Sequence, residues 1–260
     1  MLKAGSATTP GPDVKLAILT DLHANREAVE AVLDHAAAQG ARRYAFLGDY
    51  VGYGADPAWV VDTVARYVAE GAVAVRGNHD TGVADEPSPT MVPVAREVVL
   101  WTRAQLSAAQ IQFLQDLPLR VVEDPCLFVH ANAFGPEGWA YIRGRADAVR
   151  SLQATPCRYT FCGHSHEPML YHLSGTGKAG DFVPVPGVPI PVSPHRQWLV
   201  IPGSAGQPRD GNPAASYAML DLAEGQVTYH RVPYDHETAA AKIRAAGLPV
   251  QLAERLADGQ

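Results

Sequence analysis

The sequence predicts an α/β fold in which helices cover a sheet of parallel strands. Three observations carry that reading. In the first third of the chain, short apolar runs alternate with segments of helical periodicity. Asp, His or Asn follows each of these runs at its C-terminal end, beside glycine. The second half is richer in strand-like runs separated by turn residues.

The elements follow in order. Val14 to Leu19 is a candidate buried strand. Ala24 to Gln39 repeats apolar residues at helical spacing (Ala28, Val32, Leu33, Ala36) and ends at Gly40. Tyr44 to Leu47 is a second strand, Pro57 to about Ala69 a second helix, and Ala72 to Val75 a third strand. Residues 91–116 read as two helices broken near Ser107, a plausible N-cap. Strands are expected at Leu119 to Val122 and Cys126 to His130, then a helix at Ala146 to Gln153 and a strand at Tyr159 to Cys162. Further strands are expected at Met169 to Leu173, Gln197 to Ile201, Tyr217 to Leu222 and Gln226 to Val232, the last two joined by a turn at Glu224-Gly225. Gly175 to Pro194, rich in Gly and Pro, reads as an irregular excursion or loose hairpin. His236 to Ala257 is helical, with a break at Gly247-Leu248-Pro249. With no repeat and no linker, residues 13–260 are expected to form one domain with a helical C-terminal extension over about 235–258, preceded by a flexible tail at 1–12.

Composition narrows the function. A formal charge of -6 opposes a surface built to grip long nucleic acid. It does not oppose phosphate substrates, because bound metal ions can supply local positive charge. Cys126, Cys157 and Cys162 form neither a disulfide framework nor a zinc-finger spacing, which fits a reducing cytosol. Met1 to Pro12 lacks the apolar core of a signal peptide, and no run of about 18 apolar residues suggests a membrane span. A cytoplasmic protein is expected, without membrane partner; oligomeric state is not legible.

The polar residues at the strand ends carry the chemistry. Asp21 and His23 follow the first strand, Asp49 the second, and Asn78 and His79 the third, within Gly77-Asn78-His79-Asp80. His130 ends the strand after Pro125, and His164 and His166 follow another in Gly163-His164-Ser165-His166. In α/β sheets ligands bind beyond the carboxyl ends of the strands. Alone, Asp-x-His also reads as a helix cap, Gly-Asp as a turn, and His130 as a core histidine. Five such sites in order point to a shared metal site.

The series Asp-x-His, Gly-Asp, Gly-Asn-His-Asp, His, Gly-His-x-His resembles the calcineurin-like metallophosphoesterase superfamily over roughly Val14 to Tyr229. Gly48 to Gly54, Trp139 to Ile142 and Pro202 to Asp210 resemble its small prokaryotic phosphodiesterase branch, whose members are often named after diadenosine tetraphosphatases. The resemblance implies a four-layer αββα sandwich of two mixed β-sheets flanked by helices. It implies two metals, one held by Asp21, His23 and His166, the other by Asn78, His130 and His164, with Asp49 bridging. It makes His79 the general acid and Asn25 a contact to substrate phosphate, although Asn25 reads equally as a helix N-terminal residue. Asp80 would orient His79 or cap a helix.

A ligand set of carboxylate, imidazole and amide suits two divalent transition-metal ions, Mn foremost, with Fe, Ni, Co or Zn as alternatives. Such a pair lowers the pKa of a shared water toward 7 for in-line attack of a metal-bridging hydroxide on phosphorus. Arg76, Arg143, Arg145 and Arg209 are candidate phosphate clamps, Arg209 the foremost because it follows a strand in a glycine-rich stretch. Phe134, Trp139 and Tyr141 are candidates for stacking on a nucleobase, or for core or lid packing. The expected function is hydrolysis of small nucleotide-like phosphodiesters. A phosphomonoesterase or diadenosine-polyphosphate hydrolase would share the site, and a non-catalytic metal-binding scaffold on the same fold is the alternative of another class.

Overall fold

The computed structural model describes residues 14–85 and 93–260, so the tail expected over 1–12 and the first residues of the helix expected from 91 lie outside the described residues. The first third runs β1 (Lys15–Leu19), α1 (Arg26–Ala38), β2 (Ala41–Phe46), α2 (Pro57–Ala69) and β3 (Val73–Ala74). Three helices follow, α3 (Asn78–Ala84), α4 (Pro93–Ala104) and α5 (Ala108–Asp116). Then come β4 (Arg120–Glu123), β5 (Cys126–Val129), α6 (Arg145–Gln153) and β6 (Tyr159–Phe161). The chain continues through β7 (Pro168–Ser174), β8 (Ala179–Phe182), β9 (Ile190–Pro191), β10 (Arg196–Pro202), β11 (Ala215–Asp221) and β12 (Gln226–Val232). It closes with α7 (His236–Ala245) and α8 (Val250–Asp258).

Two six-stranded sheets result, ordered β3-β2-β1-β11-β12-β9 and β4-β5-β6-β10-β7-β8. Both are mixed: β1 runs parallel to β2 and antiparallel to β11, and β10 runs parallel to β6 and antiparallel to β7. The alternation of side chains along β1 sets the layers. Leu16 and Ile18 enter the core between the sheets, with Phe128, Phe161, Val200 and Leu220. Ala17 and Leu19 face the opposite way, into the core shared with Val29, Val32 and Val64 of the helices. On the far side of the second sheet, Leu127, Val129 and Leu199 pack with Ala148 and Leu152 of α6. The order helix, sheet, sheet, helix is the expected sandwich. A satellite cluster joins Val98 of α4 to Ile243 of α7 and to Leu252 and Leu256 of α8.

The differences from expectation are local. The first helix begins at Arg26, because Ala24 holds a left-handed backbone (φ 50°) and Asn25 caps the helix by accepting from the Ala28 N–H. Asn78 to Ala84, read only as a polar loop motif, forms α3. The excursion over 175–194 contains β8 and β9, whose few residues carry too little pattern to be read as strands. Ser107 caps α5 as expected, in a capping box with Gln110.

Phe161 is fully buried between the sheets and stacks on Phe128 at 5.4 Å. Phe161→Ala is expected to lower unfolding free energy by about 3–5 kcal/mol, the usual cost of a large aromatic truncated in a core. Urea unfolding of metal-free protein checks this; a loss below about 1 kcal/mol would mean that the two sheets do not depend on this contact.

Candidate metal centre

Five strands deliver the candidate ligands. β1, β2 and β3 are parallel neighbours in one sheet, and β5 and β6 are parallel neighbours in the other, so their carboxyl ends meet at one rim of the sandwich. The backbone there is unusual. Asp21 (φ 54°), His23 (46°), Asp49 (54°), His164 (68°) and His166 (63°) all sit in the left-handed region. Each such residue costs on the order of 1–3 kcal/mol and persists only where its surroundings over-determine it. Here the loops after β1 and β2 are zipped together: the N–H groups of Asp21, His23 and Ala24 donate to the carbonyls of Gly48, Asp49 and Tyr50 at 3.0, 2.9 and 2.8 Å. The approach is close enough that only glycine fits at two points. A Cβ on Gly163 would strike Thr20 Oγ1 and Asp21 Oδ2, and one on Gly77 would strike the Asp49 carboxylate.

The side chains converge in two groups around Asp49. In the first, His23 Nε2 lies 3.1 Å from His166 Nε2, and His166 Nε2 lies 3.3 Å from Asp21 Oδ1. In the second, His130 Nε2 lies 3.2 Å from His164 Nδ1, 3.0 Å from Asn78 Oδ1 and 3.3 Å from Asp49 Oδ2. Asp49 Oδ2 is also 3.9 Å from His23 Nε2, so one carboxylate oxygen reaches both groups.

The outer ring nitrogens fix the tautomers. His23, His130 and His166 each turn Nδ1 to a backbone carbonyl, of Val51 (3.2 Å), Leu47 (2.8 Å) and Gln207 (2.6 Å). His164 turns Nε2 to the Trp139 carbonyl at 2.9 Å. A carbonyl only accepts, so these nitrogens carry the protons, and in the neutral rings the inward nitrogens present lone pairs to one another. Asp21 adds to the demand for a cation: Oδ2 accepts from Thr20 Oγ1 and the His164 N–H at 2.8 and 3.0 Å, whereas Oδ1 is buried without a partner. Lone pairs and buried carboxylates facing one another are the donor set of a metal site, and these residues fit one.

Electrostatics agree. Burial would raise the Asp21 and Asp49 carboxyls, but the histidines around them hold both below the usual carboxylate range. Burial pulls His23 down, and burial together with His130 pulls His164 to about 4. His130 is the exception: against burial, the Asp49 carboxylate lifts it to about 9.

The remaining predicted residues divide. His79 borders the cluster, with its ring 5.0 Å from that of His23 and its N–H donating to Asp49 Oδ1 at 2.8 Å. It also forms a potential ligand triple with His23 and Asp49. Burial lowers its pKa. Asp80 is fully buried and bonds backbone: its carboxylate accepts from Asp49 and Tyr50 N–H at 2.8 Å and from Gly77 N–H at 2.9 Å, and burial and the Asp49 charge push its pKa up to about 7. It anchors the Asp49 loop from below, and its hydrogen bonds go to this backbone and not to the His79 ring. Asn25 takes the second of its two expected readings, the helix N-terminal one. It is 3% exposed, and with its oxygen capping α1 its amide donates to the Gly206 carbonyl and to Tyr234 Oη, which leaves no free donor for substrate.

Arg209 stands beside the cluster, 5.7 Å over the Tyr53 ring and bonded to Gln207 Oε1 at 2.9 Å. Arg145 is paired with Asp181, and Arg76 donates to the Gln115 carbonyl. Arg143 lies 6.0 Å over Tyr141, which stacks on His164 at 4.0 Å. Trp139 meets His130 edge-on, and Phe134 packs under Arg150. Tyr53 was missed by sequence reasoning; its ring wedges between His23 (4.6 Å) and His79 (4.5 Å), and only its place in the Gly52-Tyr53-Gly54 turn hinted at it.

Two mixed sheets with imidazoles and carboxylates gathered at their shared rim define the class, a metal-site hydrolase of the α/β sandwich type. The particular family follows from comparison with known proteins. The model of the calcineurin-like phosphoesterase superfamily domain matches residues 14–225. An uncharacterized protein of Methanocaldococcus jannaschii is 34% identical over 247 residues, covering 93% of this chain and 96% of that one. The crystal structure of a metallophosphoesterase from Sphaerobacter thermophilus superposes with a TM-score of 0.85 at 35% identity, over 95% of this chain and 100% of that one. A hypothetical protein from Pyrococcus horikoshii OT3 shares the fold, with a TM-score of 0.75 at 19% identity over 95% and 99% of the two chains. The chain therefore belongs to the calcineurin-like phosphoesterase superfamily, hydrolases of phosphoric esters. Among the described residues no helix is long and apolar enough to cross a membrane.

A proton count tests the site. At pH 8 His130 still holds a proton in metal-free protein, while Asp80 has mostly lost its own. A cation on His130 Nε2 must displace that proton, so binding should strengthen as pH rises toward 9. Calorimetric titration with Mn²⁺ at about pH 8, in two buffers of different ionisation enthalpy, should show release of about one proton per chain. Heats that do not depend on the buffer would contradict a ligand role for His130.

Proposed function

We propose that this chain is a two-metal phosphodiesterase acting on small nucleotide-like phosphodiesters. The observation that carries the reading is the two pairs of facing imidazoles, His23 with His166 and His130 with His164, on either side of one Asp49 oxygen. Asp21, His23 and His166 would hold one ion and Asn78, His130 and His164 the other, with Asp49 shared. The donor set favours Mn²⁺ among divalent transition metals. When bound, such a pair supplies hydroxide at neutral pH and offsets charge on the phosphoryl oxygens.

The protein's own groups do the rest. The carbonyls behind the four histidines hold each ring in one tautomer and orientation. His79 is the proton donor to the departing oxygen, suited by its place at the rim of the cluster. Asp80 acts through the Asp49 loop as a positioning residue. Arg209, beside Tyr53, would take a non-reacting phosphoryl oxygen.

A diester keeps one esterified group after the other leaves, so it needs room on two sides of phosphorus. A cavity of about 520 Å³ lined by Tyr141, Arg143, Ser165 and Met169 opens beside the His164–His166 loop and suits the retained group. A monoesterase would need only a small polar cup there.

Two experiments test the assignment. Asp49→Ala should lose most of both metals by elemental analysis, and a variant that keeps two equivalents would refute the shared position. His79→Ala should keep its metals yet lose roughly 10²–10⁴-fold in turnover, the usual size of general acid catalysis, with a smaller loss when the leaving group is nitrophenolate. An equal loss for good and poor leaving groups would contradict the acid role, and loss of metal would make His79 a ligand instead.

For substrate class, bis(p-nitrophenyl) phosphate should be cleaved with higher kcat/KM than p-nitrophenyl phosphate in Mn²⁺, and Arg209→Ala should raise KM more than it lowers kcat. A strong monoester preference would overturn the diesterase reading. Absence of hydrolysis of any ester, with both metals bound, would favour the scaffold.

A further inference from the structure

A second cavity, of about 570 Å³, opens on the other side of the cluster, and Asn78 is the one proposed metal ligand in its lining. Asn78, His79 and Tyr53 form its metal-facing side. Its walls are apolar, built by Val94, Val98 and Val99 of α4 and by Leu252 of α8. Val94 is 56% exposed, an aliphatic side chain without apolar cover at the mouth. The volume lies in the range of pockets that enclose ligands of drug size, which are lined by apolar side chains with a few polar groups fixing orientation. This cavity has that composition: Tyr53, Asn78 and His79 are its polar groups beside the reacting centre, and Gln251 and Arg255 of α8 are its polar groups on the exposed side.

We infer that this cavity receives the leaving group of the substrate, and that the leaving group carries a flat apolar ring system. The inference rests on the phosphodiesterase reading and on the place of His79. In hydrolysis the bond from water oxygen to phosphorus forms while the bond to the leaving oxygen breaks, and the acid gives its proton to that departing oxygen. The acid must therefore lie within hydrogen-bond reach of the leaving oxygen, and whatever that oxygen carries occupies the space which the acid borders. His79 borders this cavity and is absent from the lining of the one beside Tyr141. The two cavities thus separate the two ester groups: the polar one keeps the retained group, and the apolar one takes the group that departs. Valine and leucine walls offer few hydrogen bonds to a sugar or peptide, whereas an aromatic or nucleobase ring buries its faces against them.

Ala95 of α4 also lines the cavity and lies outside the buried core, so a large side chain there fills the space from the surface. The test compares methyl 2-naphthyl phosphate with methyl phenyl phosphate, which share a retained group and have leaving groups of similar acidity. The Mn²⁺-loaded protein should favour the naphthyl ester in kcat/KM by roughly 10-fold or more, the scale of added apolar contact in a pocket. Ala95→Trp should bring that ratio toward unity, and Val94→Trp provides a second, surface-mounted block. A readout that needs no metal accompanies it: 2-naphthol added to metal-free protein should shift the methyl resonances of Val98, Val99 and Leu252, and should not do so in Ala95→Trp. An unchanged ratio in folded variants, or naphthol shifts elsewhere, would overturn the inference while diester hydrolysis stood. So would variants that alter selectivity for the retained group, measured on nitrophenyl esters bearing methyl or naphthyl. If no ester is hydrolysed with both metals bound, the parent reading fails, and the leaving-group assignment with it.

Discussion

The site depends on one constraint: imidazole nitrogens and carboxylates are crowded together inside the protein with too few protons to satisfy them, His130 holding one that a cation would displace. In water, facing imidazole nitrogens would separate or share a proton. Here the outer nitrogen of each of the four rings is bound to a backbone carbonyl, so the rings cannot turn away without breaking those bonds. Asp21 Oδ1, buried and unpartnered, carries the same unmet demand. A buried charge without a partner is costly, and a cation offsets several such costs at once. The fold therefore stores in its apo state a free-energy deficit that metal binding relieves.

That deficit is sustained by the scaffold around it. The five left-handed ligand residues are not stable choices for isolated loops. They hold because the loop after β1 is hydrogen-bonded to the loop after β2, and because Asp80 collects the N–H groups of the latter. Glycines at 77 and 163 let those segments approach without a Cβ between them. The ligand geometry thus follows from backbone bonding between segments already fixed by the sheets, and the site inherits the rigidity of two cores, one between the sheets and one beneath α1 and α2.

Much of this was legible in sequence because it is local. Each ligand lies within a few residues of a strand end, and a short apolar run followed by Gly and Asp or His is visible without knowing the fold. What was not legible is long-range. Nothing in Val14 to Leu19 says that its strand pairs with β11 on one side and β2 on the other, which makes the sheet mixed. Asn25 looked available to substrate because its partners, Gly206 and Tyr234, are some 180 and 209 positions away. Asp80 read as an accessory to the adjacent His79 or as a helix cap; it does accept from the Gly77 N–H at the start of α3, while its bonds to Asp49 and Tyr50, about thirty positions earlier, were not legible. The motif Gly77-Asn78-His79-Asp80 hid the extent of its helix, since a seven-residue helix leaves almost no periodicity to read.

The net charge of -6 gains meaning at this scale. A protein acting on phosphate esters needs positive potential only where phosphate sits, and here Arg209 is the cation nearest the cluster to be proposed as a clamp. Most of the positive charge must come from bound ions, so affinity for substrate should rise and fall with metal occupancy. The same division explains why the cavities beside the cluster can differ in polarity without altering the chemistry. In the proposed reading, charge neutralisation and hydroxide would belong to the shared centre, while the identity of the ester would be left to the walls: Tyr141 and Arg143 on one side, the valines of α4 with α8 on the other. Since α8 lies beyond the segment that matches the family model, which ends at residue 225, one wall of the apolar cavity is contributed from outside that segment, by helices that carry none of the candidate ligands. Specificity in this chain can therefore diverge through its C-terminal helices while every ligand stays in place.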